Sequence, residues 1–310
     1  MCKQVFDVQE QRDVRCVIIY NFGAHDDRTV AVDRSDRHTV GILSQDSVHV
    51  GTVEVRDQVF ERANALTRHV GFSSREYDTV LALSRETVRR PSPTLQTKSS
   101  FQLMIEQAAL ERNVFTLRLP GTDGSTGRLT LGWVDERLNE GKAVARLPLI
   151  DSSAASPRHY PSGGWLVEAT SLSLEWHGQE IVFHGLASYD AISYSVEAWS
   201  KFPAEFVRAL YHVVGADTHD NVPCATARKL PDLVISLPGT GASMHRLVLK
   251  PGDYIRSKAG SAAGMCYVPI TAYEEHSEDP RRSITIGYHF LQKYYSIFDA
   301  DERMVSLIEI

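Results

Sequence analysis

The stretch SITIGYHFLQKYYSIFDADERMVSLIEI, residues 283–310, opens on a short apolar segment, SITIGYHF, of a kind that recurs along the whole chain. RTVAVD, SVHVGTVEV, YDTVLALS, VFTLRLP, GRLTLGWV, WLVEATSLSLEW, EIVFHGLAS, DLVISL, HRLVL and CYVPITAY share its length and its alternating or continuous apolar character. Gly, Asn, Asp and Pro turns separate them, and runs of this length between turn residues read as strands. SVHVGTVEV consists of two alternating arms about Gly51, which predicts a hairpin. Two segments carry helical spacing instead. FQLMIEQAAL places Phe101, Met104, Ile105 and Ala108 on one face, and AEFVRALYHVVG does the same for Phe206, Val207, Leu210, Val213 and Val214, with Gly215 as the stop. The expected class is all-β: mainly strands, with a few short helices.

A chain of 310 residues, 43% hydrophobic and 23% charged, has ordinary globular composition and suits one large domain or two medium ones. The formal charge of −6 and the lack of a long basic run argue against a nucleic-acid partner. No apolar run is long enough to span a bilayer, so no membrane partner is expected. The first residues, MCKQVFDVQEQRDVRC, are mixed in charge and lack the apolar core of a secretory leader. This predicts a cytoplasmic protein if the chain is complete, and a secreted or vacuolar one if its N-terminus is truncated. Four cysteines without a CxxC pair argue against zinc, and no metal is expected. A single bridge between Cys224 and Cys266 stays open. No glycine-rich phosphate loop is present, and no cofactor is expected. The Ser- and Pro-rich segment DSSAASPRHYPSGG near the middle sets the expected boundary, giving domains 1–150 and 151–310.

The closing stretch resembles the C-terminal signature of the pepsin-like aspartic proteases, the peptidase A1 family. In that signature an Ile-Leu-Gly-Asp turn leads to Phe-Leu, a Tyr-Tyr pair, Phe-Asp and a final strand. Ile286, Gly287, Phe290, Leu291, Tyr294, Tyr295, Phe298 and Asp299 stand in those places. Upstream, CATARKLPDLVISLPG, LVLKPGDYI and CYVPI resemble the part of the C-terminal lobe where two cysteines are bridged, which implies a Cys224–Cys266 disulfide. VGILSQDSVHVGTVEVRDQVF, YDTVLALS and VFTLRLPGTDGSTGRLTLGWVD are similar, in the same order, to segments of the N-terminal lobe. The resemblance implies a bilobal acid-protease fold, monomeric, whose N-terminal lobe is incomplete: its front part, with the strand of the first catalytic Asp, is missing.

In that family each lobe donates one Asp from an Asp-Thr-Gly-Thr/Ser loop. Two carboxylates that close cannot both ionise easily; they share a proton, one acting as base toward water and the other as acid toward the substrate carbonyl. The resemblance places the second of them at Asp190 in ASYDAISYS, with Ala191 for Thr, Ile192 for Gly and Ser193 as the next hydroxyl. A β-branched Ile does not adopt the close-approach geometry of Gly, which predicts a remodelled loop. No Asp-Thr-Gly or Asp-Ser-Gly occurs in the 310 residues, so no partner for Asp190 is identified. The expected flap, VAVDRSDRHTVGILSQD, carries Arg34 near the position of the family's Tyr and Asp36 beside it, a polar tip. Together these departures imply a pseudoenzyme whose proteolysis is lost or strongly reduced and whose inter-lobe cleft binds a peptide or a small molecule. Two alternatives accompany it: an active aspartic-type endopeptidase with a truncated gene model, and an accessory or cyclising protein of a fungal-type secondary-metabolite pathway.

Overall fold

The computed structural model describes residues 17–18, 30–31, 39–66, 79–85, 98–121, 125–139, 144–150, 165–183, 191–194, 200–215, 221–239, 244–257, 264–272 and 283–310. The chain is mostly β with a few short helices. It divides into two compact units, one of Met1–Val134, Ser152–Gly164 and Asp299–Asp301, the other of Asp135–Asp151, Trp165–Phe298 and Glu302–Ile310.

The first unit is dominated by a long hairpin, Thr39–Val50 with Val53–Leu66. Its two-residue loop starts at Gly51, whose φ of 61° is the left-handed value that a tight hairpin turn of this kind demands at its first position. Register shifts at Val40/Gly41 and Asp46/Val48 mark bulges in the ladder. The GTDGSTGR segment likewise joins two antiparallel strands, Val114–Arg118 and Arg128–Leu131. The helix Ser100–Glu106 begins where the Ser99 hydroxyl accepts the Gln102 N–H at 3.0 Å. The same hydroxyl donates to the Ser84 carbonyl, which ties the helix to the buried Leu81–Ser84 segment. Phe101, Leu103 and Met104 form its buried face, and Phe101 meets the ring edge of Phe115 at 5.0 Å. The expected face of Ile105 and Ala108 is therefore corrected: the helix ends at Glu106, and Ala108 lies past it with φ 49°.

In the second unit a four-stranded antiparallel sheet runs in the order Gln179–Val182, Ser171–Trp176, Asp232–Pro238, Met244–Leu249. Leu172, Leu174, Leu233, Val234, Ile235, Leu237, Leu247 and Leu249 are buried from it. The helix Ala204–Val214 lays Phe206, Val207, Leu210 and Val214 inward and stops at Gly215, whose φ of 66° lets its N–H reach the Tyr211 carbonyl. Phe206 is fully buried, with the rings of Phe183 and Phe202 at 5.1 and 5.3 Å; a side chain of that size contributes about 2–3 kcal/mol by leaving water. The closing strand Met304–Glu309 pairs antiparallel with Val144–Pro148. Among the described residues no helix is long and apolar enough to cross a membrane.

Candidate functional site

The neighbourhood of the expected catalytic loop is a four-stranded sheet in the order Ala191–Tyr194, Ser283–Ile286, Ser200–Phe202, Ile270–Ala272. Ala191–Tyr194 runs parallel to Ser283–Ile286, with Ile192 opposite Ile284 and Tyr194 opposite Ile286. Ser200–Phe202 lies on the other side of that strand and antiparallel to it, through Lys201 and Thr285. Two strands consecutive in the chain thus flank a third that comes from its far end. Ile284 and Ile286 are fully buried, so the central strand is held by packing as much as by its ladder. At its end the Gly287 N–H donates to the buried Ser200 hydroxyl at 3.0 Å, and Ser200 in turn donates its N–H to the Pro269 carbonyl at 3.0 Å.

The register describes the residues that follow Asp190. Ala191, Ile192 and Ser193 do not form a turn that folds back over a carboxylate; they are extended and in register with Ser283, Ile284 and Thr285. The physical reason is Ile192 itself. A β-branched residue favours extended backbone, and position 192 stands opposite Ile284 in the register. Asp190, Arg34 and Asp36 lie outside the described residues, and of Ser193 the structure describes the strand position. None of the four strands, AISY, SITI, SKF and ITA, carries an Asp or a Glu. Among the described residues no group of three or more His, Cys, Asp or Glu is suited to hold a metal.

Sequence reasoning missed the polar cluster that follows Gly287. The Arg256 guanidinium donates from Nε to His289 Nδ1 at 3.2 Å and from Nη1 to the Gly252 carbonyl at 2.8 Å. Gln292 Oε1 also approaches His289 Nδ1 at 3.2 Å, and Gln292 Nε2 approaches the Tyr288 hydroxyl at 3.3 Å. A guanidinium only donates, so Nδ1 accepts from Arg256, and the Gln292 amide satisfies the same nitrogen when its O and N are exchanged. Burial pushes the His289 pKa down, and the Arg256 charge lowers it further. Burial also lowers that of Arg256, against the attraction of Asp253, Tyr267 and Tyr288. The only signal in the sequence was His289 two places after Gly287, within a stretch otherwise read for its apolar frame.

Arg256 belongs to a small sheet whose strands run in the order Asn221–Pro223, Met265–Tyr267, Arg256–Ser257. Cys224 and Cys266 are joined by a disulfide with Cα atoms 5.0 Å apart, and Cys266 pairs across the ladder with Ser257, next to Arg256.

A mostly β chain with these strand crossings and this closing segment is defined as a class by its match to known proteins. It belongs to the eukaryotic aspartyl protease family, whose model matches residues 23–310. Among its relatives, vacuolar protease A of Neurospora crassa is 24% identical over 271 residues, covering 86% of this chain and 60% of that protein. The vacuolar aspartic protease of Candida albicans is 25% identical over 276 residues, 86% of this chain and 58% of that protein. Cathepsin D of Dictyostelium discoideum is 24% identical over 270 residues, 86% of this chain and 63% of that protein. The chain spans about 60% of the length of the curated relatives it matches.

Proposed function

We propose that this member of the aspartyl protease family has lost peptide hydrolysis or retains it only weakly, and that its family-type groove serves to bind a peptide or a small molecule. One observation carries the reading: the residues following Asp190 are strand, paired from Ala191↔Ser283 to Tyr194↔Ile286. A shared-proton carboxylate pair needs each carboxylate at the head of a turn whose backbone N–H groups and hydroxyl hold it in place. The extended backbone of Ala191–Tyr194 supplies no such turn directly after position 190. The connection from Tyr194 to Ser200 is Ser-Val-Glu-Ala-Trp, with Glu197 as its acid and no Asp-Thr-Gly. The test is cleavage of denatured protein substrates from acid to neutral pH, with and without pepstatin, for the unmodified chain and for Asp190→Asn and Glu197→Gln. The expected result is no pepstatin-sensitive cleavage by any of them. Pepstatin-sensitive cleavage that Asp190→Asn abolishes overturns the proposal.

A second reading, an active aspartic-type endopeptidase completed by residues beyond these 310, is favoured by the names and the greater length of the relatives. Pepstatin-sensitive activity that appears only when the chain is extended supports it.

A further inference from the structure

The half-buried Arg256 is a cation that the described residues leave without a carboxylate partner. Nε and Nη1 are engaged by His289 and by the Gly252 carbonyl, with a longer contact of Nη1 to the Ile255 carbonyl at 3.4 Å. Among the described residues Nη2 has no hydrogen bond, and no Asp or Glu comes within 4.0 Å of the guanidinium. The acid that acts on it most, Asp253, is committed elsewhere: its Oδ2 takes Lys293 Nζ at 3.0 Å and the Lys250 N–H at 2.9 Å. Glu309 also sits on Lys293, at 3.2 Å. Two carboxylates therefore converge on Lys293, while Arg256 receives its compensation only across a distance.

The position of Arg256 is fixed from several sides. Its backbone pairs with Tyr267, and the neighbouring Ser257 pairs with disulfide-bonded Cys266. His289 clamps Nε, and because Nδ1 accepts that bond, the neutral imidazole carries its proton on Nε2. No partner among the described residues takes that second ring nitrogen. Arg256 Nη2 is open to solvent and keeps its donors for an incoming anion. The planar guanidinium is the side chain best suited to a carboxylate.

We propose that Arg256, oriented by His289, forms a carboxylate-binding site just beyond the end of the strand Ser283–Ile286, with Arg256 Nη2 as its charged donor. One uncompensated cation matches a monoanion better than a dianion, which selects carboxylate over phosphate. The carboxylate belongs either to a small organic acid or to the C-terminus of a peptide. The site does not depend on whether the chain hydrolyses peptides.

The experiment is an NMR titration of the full chain at neutral pH and constant ionic strength, following the Arg256 Nε–Hε and His289 ring resonances. These are assigned from the spectra of Arg256→Lys and His289→Gln. The probes are sodium acetate, the peptide Gly-Gly-Phe, the same peptide as its C-terminal amide, and inorganic phosphate. The expected result is a saturable shift with acetate or with the free-acid peptide and none with the amide. Response to acetate as well as peptide identifies the carboxylate alone as the ligand; response to the peptide only identifies a chain terminus. Arg256→Gln weakens binding about tenfold or more, the loss of one charge-assisted hydrogen bond. Arg256→Lys falls between, and His289→Gln supplies the same comparison should Arg256→Gln not fold. No saturable shift with either carboxylate, unchanged affinity in the folded variant, or tighter binding of phosphate overturns the proposal.

Discussion

The strand Ser283–Ile286 and the cluster just past it are adjacent in the chain and opposite in character. The strand is apolar and enclosed: Ile284 and Ile286 are fully buried between Ala191–Tyr194 and Ser200–Phe202, and no acid side chain occurs on the sheet. Beyond Gly287 the polar side chains are Tyr288, His289 and Gln292, half-buried and hydrogen-bonded, with His289 in contact with Arg256. The difference teaches where stability and chemistry reside in this chain. The sheet contributes packing; the polar groups with unspent bonding capacity sit past its end.

That division is open to direct attack. The largest effect is expected from Ile286→Ala, which removes a fully buried side chain from the central strand and costs about 2–5 kcal/mol in urea unfolding. An effect near zero there would dissolve the comparison. Replacing Cys224 and Cys266 by Ser removes the cross-link beside Arg256 and costs about 2–4 kcal/mol, measured in the same way under non-reducing conditions. Ser200→Ala sharpens the boundary between the two regions, since it leaves the buried Gly287 N–H without its acceptor, at about 1–3 kcal/mol.

The smallest effect is a slope. His289 has a pKa lowered in the fold, so in the window between that lowered value and about 6.5 the unfolded chain binds the proton more readily than the native one. Stability therefore falls as pH drops through that window and recovers as pH rises. His289→Gln flattens this part of the stability–pH curve, and an unchanged slope would show that the cluster contributes nothing through its imidazole.

Much of the fold was legible in the sequence because periodicity and turn residues act locally. SVHVGTVEV specifies its own hairpin through Gly51, and AEFVRALYHVVG specifies both its buried face and its stop at Gly215. The helix at Phe101 was legible in place but not in extent, since one turn fewer exchanges Ile105 and Ala108 for Leu103 on the buried face. The candidate site was less legible. Whether Ala191–Ser193 turns or extends depends on Ile284, a partner remote in sequence, and no local pattern encodes that pairing. The Arg256–His289 contact is missed for the same reason, because each residue alone is an ordinary polar side chain and only the fold places them 3.2 Å apart.

The pairing of Met304–Glu309 with Val144–Pro148 has a consequence for how the protein is made. The two strands are joined by everything translated between them, and Ala191–Tyr194 likewise waits for Ser283–Ile286. Neither ladder closes while the ribosome is still adding the middle of the chain. Val144–Pro148 and Ala191–Tyr194 therefore stay without these partners until residues 283–309 emerge, a topology that slows folding and lengthens the interval in which nascent chains aggregate.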